Sequence, residues 1–139
     1  MIGAISFETA FHLPITPQPD DFDELGHVNN VTYLRWTQDM ATTHWRTVAP
    51  QDLQDRYIWV ALRHEIDYRD QILPGEEIEG RTWLGRARGP RFHRHVDIRK
   101  VGAKRASANV LTDWCLLDIE SRKPMRVTAE ILEAFGVPG

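Results

Sequence analysis

Residues 21–33 of this 139-residue chain read Asp-Phe-Asp-Glu-Leu-Gly-His-Val-Asn-Asn-Val-Thr-Tyr. The stretch ends a segment, residues 17–26, that is rich in Pro, Asp and Gly and is typical of a loop. Asn29 and Asn30 can accept hydrogen bonds from the first free N–H groups of a helix, so a helix is predicted to begin here. Residues 21–33 therefore join a loop to a helix.

The helix predicted after this junction extends to about Val48. Apolar side chains recur along it at spacings of three and four, and further apolar side chains widen the stripe. The recurring residues are Val31, Leu34, Ala41, Trp45 and Val48, and the stripe is widened by Tyr33, Trp36 and Met40. A helix that is apolar around much of its girth is expected to pack on a sheet and to be largely enclosed.

Strands are predicted on both sides of this helix, because apolar and polar residues alternate there with a period of two. Residues 7–15 are expected to form a half-buried strand that ends near Pro14. Residues 58–68 are expected to form another, with Arg63, Glu65 and Asp67 on one face. The residues predicted on its opposite face are Ile58, Val60, Leu62, Ile66 and Tyr68.

Three more strands are predicted at residues 77–86, at Arg91–Lys100 and at residues 106–118, separated by turns that contain glycine. The last of the three is apolar on both faces and is expected in the interior of the sheet. A short final strand is expected before Thr128, whose hydroxyl can cap a terminal helix. This order of elements predicts an α+β fold in which an antiparallel sheet packs around one long helix. The length predicts a single domain over residues 1–139.

Composition limits the classes of function. The net charge is -3 and charges of both signs are mixed along the chain, so a nucleic-acid partner is not expected. The first residues lack a basic segment followed by an apolar one, and no later stretch could span a bilayer, so we expect a cytoplasmic protein without a membrane partner. Cys115 stands alone in an apolar stretch, which indicates a buried, unreactive thiol.

The motif in residues 21–33 resembles the D-x-D-x-x-G-H-V-N-N-x-x-Y signature of hotdog acyl-CoA thioesterases of the 4-hydroxybenzoyl-CoA thioesterase type. Similar strand and turn residues extend the resemblance along nearly the whole chain, at residues 66–68, 74–76 and 117–118. Phe22, where a small or polar residue is common, and Gly89-Pro90-Arg91, where Ser is frequent, depart from the pattern. Because neither departure involves the carboxylate, they affect the expected substrate shape more than the expected reaction.

The resemblance implies a hotdog fold and hydrolysis of an acyl-CoA to a carboxylic acid and free CoA, without a cofactor. It also implies a homodimer, or a tetramer of two dimers, with sites between protomers. We expect the Asp23 loop of one chain to face residues 58–68 of its partner. A thioester of a carrier protein fits the same motif, and the acyl group is left open.

Thioester hydrolysis needs a group that attacks the carbonyl carbon or activates water, and donors that stabilise the oxyanion. The resemblance places Asp23 at the catalytic carboxylate, as nucleophile through an acyl anhydride or as general base. The oxyanion donor is expected among the backbone amides of residues 28–30, with Asn30 favoured by its spacing from Asp23. Gly26 permits a close approach of the chain to substrate, and His27 is expected either to contact substrate or to orient the loop.

Substrate contacts are expected from Val28, Asn29, Tyr33, His64, Arg88 and Arg91. For several of these a structural role is the alternative. Asn29 can cap the helix, Tyr33 can belong to the core, and His64 can be a core histidine with a satisfied ring. Arg88 and Arg91 flank a turn, where their guanidinium groups can bind CoA phosphates or simply be solvated.

Two alternative functions and a candidate metal site are also consistent with parts of the sequence. A non-catalytic acyl-CoA-binding module could keep the fold and pocket, but the complete loop around Asp23 argues against it. A hotdog dehydratase is less favoured, because its histidine signature is not reproduced around His64. His93, His95 and Asp97 share one strand face and could hold a metal, but no matching Cys or His cluster exists elsewhere, so we expect no metal and a solvated face.

Overall fold

The computed structural model of the protein describes residues 6–137. Its elements in chain order are β1 (Phe11–Ile15), a 3-10 turn (Pro19–Asp21), α1 (Asn30–Val48), α2 (Gln51–Arg56), β2 (Tyr57–Tyr68), β3 (Ile78–Arg88), β4 (Arg91–Lys100), β5 (Ala108–Asp118) and α3 (Ala129–Ala134). The strands form one sheet in the order β1-β3-β4-β5-β2, and every pairing is antiparallel. This arrangement confirms the predicted α+β hotdog fold.

The long helix α1 begins and ends where the sequence predicts. The Asn29 side chain accepts a hydrogen bond from the Val31 N–H at 3.0 Å, and the helix ends at Val48, two residues before Pro50. Its buried side recurs at helical spacing through Tyr33, Trp36 and Met40. A side chain at Gly80 of β3 would collide with the Met40 sulfur, so glycine there lets α1 lie directly on the sheet.

The core has two parts, one at each end of α1. The cluster under the N-terminal half contains Tyr33, Trp36 and Met40, packed on strand residues such as Ile78 and Ile98. The cluster under the C-terminal half is more aromatic. Its main members are Trp45, Leu53, Tyr57, Leu84, Phe92, Leu116, Ile131 and Phe135. The short helices α2 and α3 contribute to this second cluster, and α2 was not predicted from the sequence.

Strand β2 lies at an edge of the sheet and carries a bulge that the sequence analysis missed. Its register against β5 shifts between Ala61 and Arg63. Trp59 packs with the core before the bulge and Ile66 packs with it after the bulge. The prediction that Ile58, Val60 and Leu62 share a face with Ile66 and Tyr68 is therefore wrong, because one extra residue reverses the alternation.

Other boundaries differ in smaller ways. Strand β1 begins at Phe11 rather than at residue 7, because residues 6–10 form a turn closed by the Thr9 N–H and the Ser6 carbonyl at 3.2 Å. Pro14 lies inside β1, where an edge strand tolerates the missing N–H.

At the other end of the chain, β5 lies between β4 and β2, which confirms its predicted interior position. The strand expected before Thr128 is reduced to a single bridge between Leu117 and Pro124, while Thr128 caps α3 as predicted. Within residues 6–137, no helix has the length and apolarity that crossing a membrane requires.

Candidate active site

The loop that precedes α1 is closed by its own backbone. The Asp23 N–H donates to the His27 carbonyl at 2.7 Å, and the Gly26 N–H donates to the Asp23 carbonyl at 3.0 Å. Gly26 has a φ of +78°, a conformation that L side chains rarely adopt. Apart from Gly26 and its two chain neighbours, no described residue has an atom within 4 Å of where a Gly26 side chain would begin, so the turn conformation is what requires glycine here.

The Asp23 carboxylate is exposed and oriented by backbone amides. Its Oδ1 accepts hydrogen bonds from the N–H groups of Leu25 at 2.9 Å and His27 at 3.1 Å. Its Oδ2 makes no hydrogen bond with any described residue. The loop therefore holds one oxygen and leaves the other free. His27 contributes to this orientation through its backbone N–H and carbonyl.

Asp21, two residues earlier, has the opposite environment. It is 1% exposed, and its carboxylate accepts hydrogen bonds from the Gln18 N–H at 2.7 Å and from the Arg35 guanidinium. Its carbonyl accepts from the Asn29 N–H at 2.7 Å. Asp21 therefore anchors the 3-10 turn to α1 as a structural hydrogen-bond acceptor.

Most backbone N–H groups at the start of α1 already donate hydrogen bonds. The Val28 N–H donates to the Ile72 carbonyl at 3.1 Å, the Asn29 N–H donates to Asp21, and the Val31 N–H donates to the Asn29 side chain. The Asn30 N–H has no acceptor among the described residues. It lies in the first turn of a 19-residue helix, where the partial positive charge of the helix is greatest.

A shallow groove runs along α1 and β2 from this end of the helix. Its lining residues are Leu34, Gln38, Ala61, Leu62, Arg63, His64, Ile66 and Tyr68. The Tyr68 hydroxyl lies 3.5 Å from the Asn30 carbonyl, which places that end of the groove beside the helix N-terminus. His64 Nδ1 is 2.8 Å from the Thr112 hydroxyl, and burial lowers the pKa of His64 below its ordinary value.

Two residues predicted to contact substrate belong to the core. Val28 and Tyr33 are each 4% exposed. The Tyr33 ring packs edge-on against Trp36 and Tyr68, with centroid distances of 5.6 and 5.4 Å. Burial, followed by the nearby Tyr68 and Asp70, raises the pKa of Tyr33 to about 12. Both side chains support the loop from beneath.

Arg88 and Arg91 lie at the other end of the sheet from Asp23. They flank the β3–β4 turn, and the eleven residues of β3 span about 36 Å at the usual rise of an extended strand. Arg91 forms an ion pair with Asp113, which is 6% exposed. One protomer therefore does not bring these cations to the Asp23 loop.

The strand face with His93, His95 and Asp97 is only partly the solvated surface that the sequence suggests, because His93 is exposed but His95 is half-buried and Asp97 is buried. Asp97 is 3% exposed and pairs with Arg99 through two hydrogen bonds of 2.7 and 2.8 Å. The His95 ring stacks on Trp83 with a centroid distance of 5.3 Å. Among residues 6–137, no group of three or more His, Cys, Asp or Glu side chains could hold a metal ion.

The sequence analysis missed a buried polar cluster under the C-terminal half of α1. Arg94 is 5% exposed, and its Nη1 lies 2.9 Å from His44 Nδ1 and donates to the Thr82 hydroxyl at 2.9 Å. Burial, and then the Arg94 charge, lower the pKa of His44 to about 3, so His44 is neutral and accepts the hydrogen bond. The available signal was the alternation of β4, in which Arg94 is in phase with the apolar Phe92 and Val96.

Arg94 lines a cavity of about 450 Å³, which lies next to the groove. Trp114 lines the cavity, and its ring packs edge-on against the groove residue His64 with a centroid distance of 6.4 Å. Burial lowers the pKa of Arg94 to about 9, so the guanidinium is still charged at neutral pH. The molecule thus has a free anion at one end of α1 and a buried cation near the other.

Comparisons with known proteins agree with this fold. A similar solved structure from Pseudomonas aeruginosa is 22% identical, covers 94% of this chain and 92% of its own, and has a TM-score of 0.83. A thioesterase from Thermus thermophilus, complexed with coenzyme A and Zn, is 22% identical over 89% of this chain and 90% of its own, with a TM-score of 0.76. A 1,4-dihydroxy-2-naphthoyl-CoA thioesterase from Synechocystis is 14% identical, covers 91% of this chain and 96% of its own, and has a TM-score of 0.77.

At these identities the solved structures show a shared fold. No curated protein matches the chain in sequence. The family model described as the thioesterase-like superfamily matches residues 17–135, which include the whole Asp23 loop, α1 and strands β2 to β5. The chain therefore belongs to the thioesterase-like superfamily.

Proposed function

We propose that this protein hydrolyses an acyl-CoA thioester to a carboxylic acid and free CoA, with Asp23 as the catalytic carboxylate. The observation that carries this proposal is the loop geometry. One oxygen of Asp23 is held by two backbone amides and the other is free, while the neighbouring helix presents the uncommitted Asn30 N–H. An oriented carboxylate and an oxyanion donor are the two groups that thioester hydrolysis needs.

Two routes use the same atoms. In the first, Asp23 Oδ2 attacks the thioester carbonyl, the C–S bond breaks, CoA leaves as a thiolate that takes a proton, and water hydrolyses the acyl anhydride. In the second, Oδ2 removes a proton from a water molecule that attacks the carbonyl directly, the C–S bond breaks, and the departing CoA thiolate takes up that proton. In both, the carbonyl oxygen becomes negative and accepts a hydrogen bond from the Asn30 N–H. The loop backbone of Gly26 and His27 keeps Oδ2 directed outward.

The acyl group is proposed to lie in the groove between α1 and β2. His64 and Tyr68 line this groove, and its end beside Asn30 adjoins the proposed oxyanion donor. Val28, Asn29 and Tyr33 act by supporting the loop and the helix cap. This placement gives His64 and Tyr68 contact with substrate, while the buried Tyr33 shapes the site indirectly.

We also propose a homodimer formed through β2. This strand is twelve residues long, lies at the edge of the sheet, and exposes the apolar side chains of Ile58, Leu62 and Tyr68. A long edge strand with exposed apolar side chains favours pairing with another strand. A two-fold axis near the middle of β2 would bring residues 58–68 of each protomer against the partner's groove.

The same two-fold axis offers a place for the CoA phosphates. This axis would bring the partner's β3–β4 turn, with the partner's Arg88 and the partner's Arg91, toward the end of this protomer that carries Asp23. Arg88→Ala should then raise KM for acyl-CoA and weaken its dependence on salt, with little change in kcat. Arg91 is left intact in this test because it neutralises the buried Asp113. A short pantetheine thioester should be indifferent to the Arg88 substitution.

The deciding experiment follows thiol release from a panel of short, long, branched and aromatic acyl-CoAs, with Asp23→Asn as the blank. Turnover of at least one thioester that depends on Asp23 supports the proposal. Tight binding of acyl-CoA without thiol release would identify a binding module instead. Light scattering at the assay concentration tests the dimer, and an active monomer would refute it.

A further inference from the structure

The cavity under the C-terminal half of α1 has the form of a ligand site. Its volume of about 450 Å³ is within the roughly 300–1,000 Å³ that small-molecule sites occupy. The inner surface is mainly aromatic and aliphatic, while exposed Thr42, Arg46 and Gln51 lie at its rim. The main inner residues are Trp45, Trp59, Leu84, Phe92 and Phe135.

Several hydrogen-bond donors of the cavity residues have no acceptor within residues 6–137. Of the Arg94 nitrogens, only Nη1 is hydrogen-bonded, to His44 and Thr82, and Nε and Nη2 have no partner among the described residues. The indole N–H groups of Trp59 and Trp114 are buried, again without an acceptor in the described part of the chain. A buried indole N–H is costly unless something accepts from it, whereas the free Arg94 nitrogens are not fully enclosed.

Among the described residues, none lining the cavity provides a counter-ion for Arg94. None of its lining residues is Asp or Glu. The Phe135 ring, 5.5 Å from the Arg94 guanidinium carbon, offers a cation–π contact, but this is weaker than a paired carboxylate. A buried cation in an apolar space is stabilised when an anion joins it there. A negatively charged hydrogen-bond acceptor would therefore stabilise Arg94 in this cavity.

We infer that the cavity binds a molecule with an apolar body that ends in a carboxylate, and that Arg94 holds the carboxylate. The planar guanidinium suits a two-point contact with a carboxylate, and the indole N–H groups of Trp59 and Trp114 supply further donors. The aromatic walls receive the apolar body. This site uses no atom of the Asp23 loop, so its existence does not depend on the proposed hydrolysis.

Tryptophan fluorescence tests the inference directly, because Trp45, Trp59 and Trp114 all line the cavity. The probes are decanoate and decanol, titrated into the intact protein. Decanoate should bind at least about 10-fold more tightly, the ratio expected for one hydrogen bond to a charged group. In Arg94→Met, which keeps the length of the side chain, this preference should fall to within about 3-fold. Equal affinities in the wild type, or an unchanged preference in Arg94→Met, would refute the inference.

Two further variants test the inference independently if Arg94→Met fails to fold. Trp114→Phe and Trp59→Phe retain a ring but remove one buried donor each, so each should weaken decanoate binding by about 5-fold and change decanol binding less. Isothermal titration calorimetry replaces fluorescence for these variants. Loss of affinity that is equal for the two probes would indicate packing alone and would overturn the assigned role of the N–H groups.

Two kinds of ligand have an apolar body that ends in a carboxylate: a free carboxylic acid and the acyl chain of an ω-carboxyl acyl-CoA. Thiol release from decanoyl-CoA and from its ω-carboxyl analogue distinguishes these two sources. A higher kcat/KM for the analogue that disappears in Arg94→Met assigns the site to the acyl chain of a substrate. Equal kcat/KM values, with decanoate binding retained, assign it to a free acid. If no thioester is hydrolysed, the binding measurements still decide whether the site exists.

Discussion

The two ends of α1 hold charge in opposite ways. At the N-terminal end, the exposed Asp23 carboxylate is oriented by amides only two and four residues away. Near the C-terminal end, the buried Arg94 contacts Thr82 and His44, which are 12 and 50 residues away in the sequence. An exposed anion held by its own loop keeps an oxygen available for chemistry. A buried cation held by distant side chains depends on contacts that only folding brings together.

The most severe test of this contrast is Asp23→Asn. The amide keeps an oxygen for the loop N–H groups but removes the nucleophile or base, so turnover should fall by about 100-fold or more while substrate binding persists. Steady-state kinetics on the best acyl-CoA measure the effect. Glu24→Gln is the matched control, since Glu24 is the exposed neighbour. Near-normal turnover by Asp23→Asn would remove Asp23 from the mechanism.

The second prediction concerns pH and the buried end. The pKa of His44 is about 3 in the folded protein and near its ordinary value of about 6.5 when unfolded, so the unfolded chain binds the extra proton between these values. The free energy of unfolding should therefore fall as pH drops through this window, with up to about 1.4 kcal/mol per pH unit due to His44.

His44→Phe isolates this contribution, because a phenyl ring can keep the stacking on Phe11. Urea unfolding at several pH values compares the variant with the wild type. Burial also lowers the pKa values of His64 and His95, but their contributions are present in both proteins and cancel in the difference. Parallel pH profiles for the two proteins would contradict the assignment to His44.

Gly26→Ala should affect the loop end more weakly. The positive φ of Gly26 imposes strain of about 1–2 kcal/mol on a residue with a side chain. Gly102→Ala is the control, since Gly102 has a similar φ of +82° in a turn outside the Asp23 loop. Thermal unfolding should show comparable losses for both, while only Gly26→Ala should lower kcat. Equal kcat values in both variants would show that the Asp23 orientation tolerates distortion of its loop.

The smallest expected effect is that of Asp21→Asn. Asparagine retains an acceptor for the Gln18 N–H but loses the charge that pairs with Arg35, so we expect about 1 kcal/mol of destabilisation. The loss is limited because Arg35 is exposed and can be solvated. Differential scanning calorimetry measures it. A loss of kcat as large as that of Asp23→Asn, in a folded protein, would mean that the chemistry is not confined to Asp23.

The boundaries of α1 and β4 followed from local patterns. The end of α1 at Val48 was predicted, and β4 spans the predicted Arg91–Lys100. Asn29 and Thr128 cap their helices as their positions indicated. These features depend on residues within a few positions of one another. Period and cap chemistry are therefore sufficient to predict them.

Other features became visible only once distant segments were paired. The bulge in β2 exists in its register against β5, and it decides which of its side chains face α1. The distance of Arg88 from Asp23 depends on the direction in which β3 runs from the loop. The burial of Arg94 depends on His44 and Thr82 packing over it. Local sequence carries the period of each strand, but registers, burial and cavities arise from contacts between residues far apart in the chain.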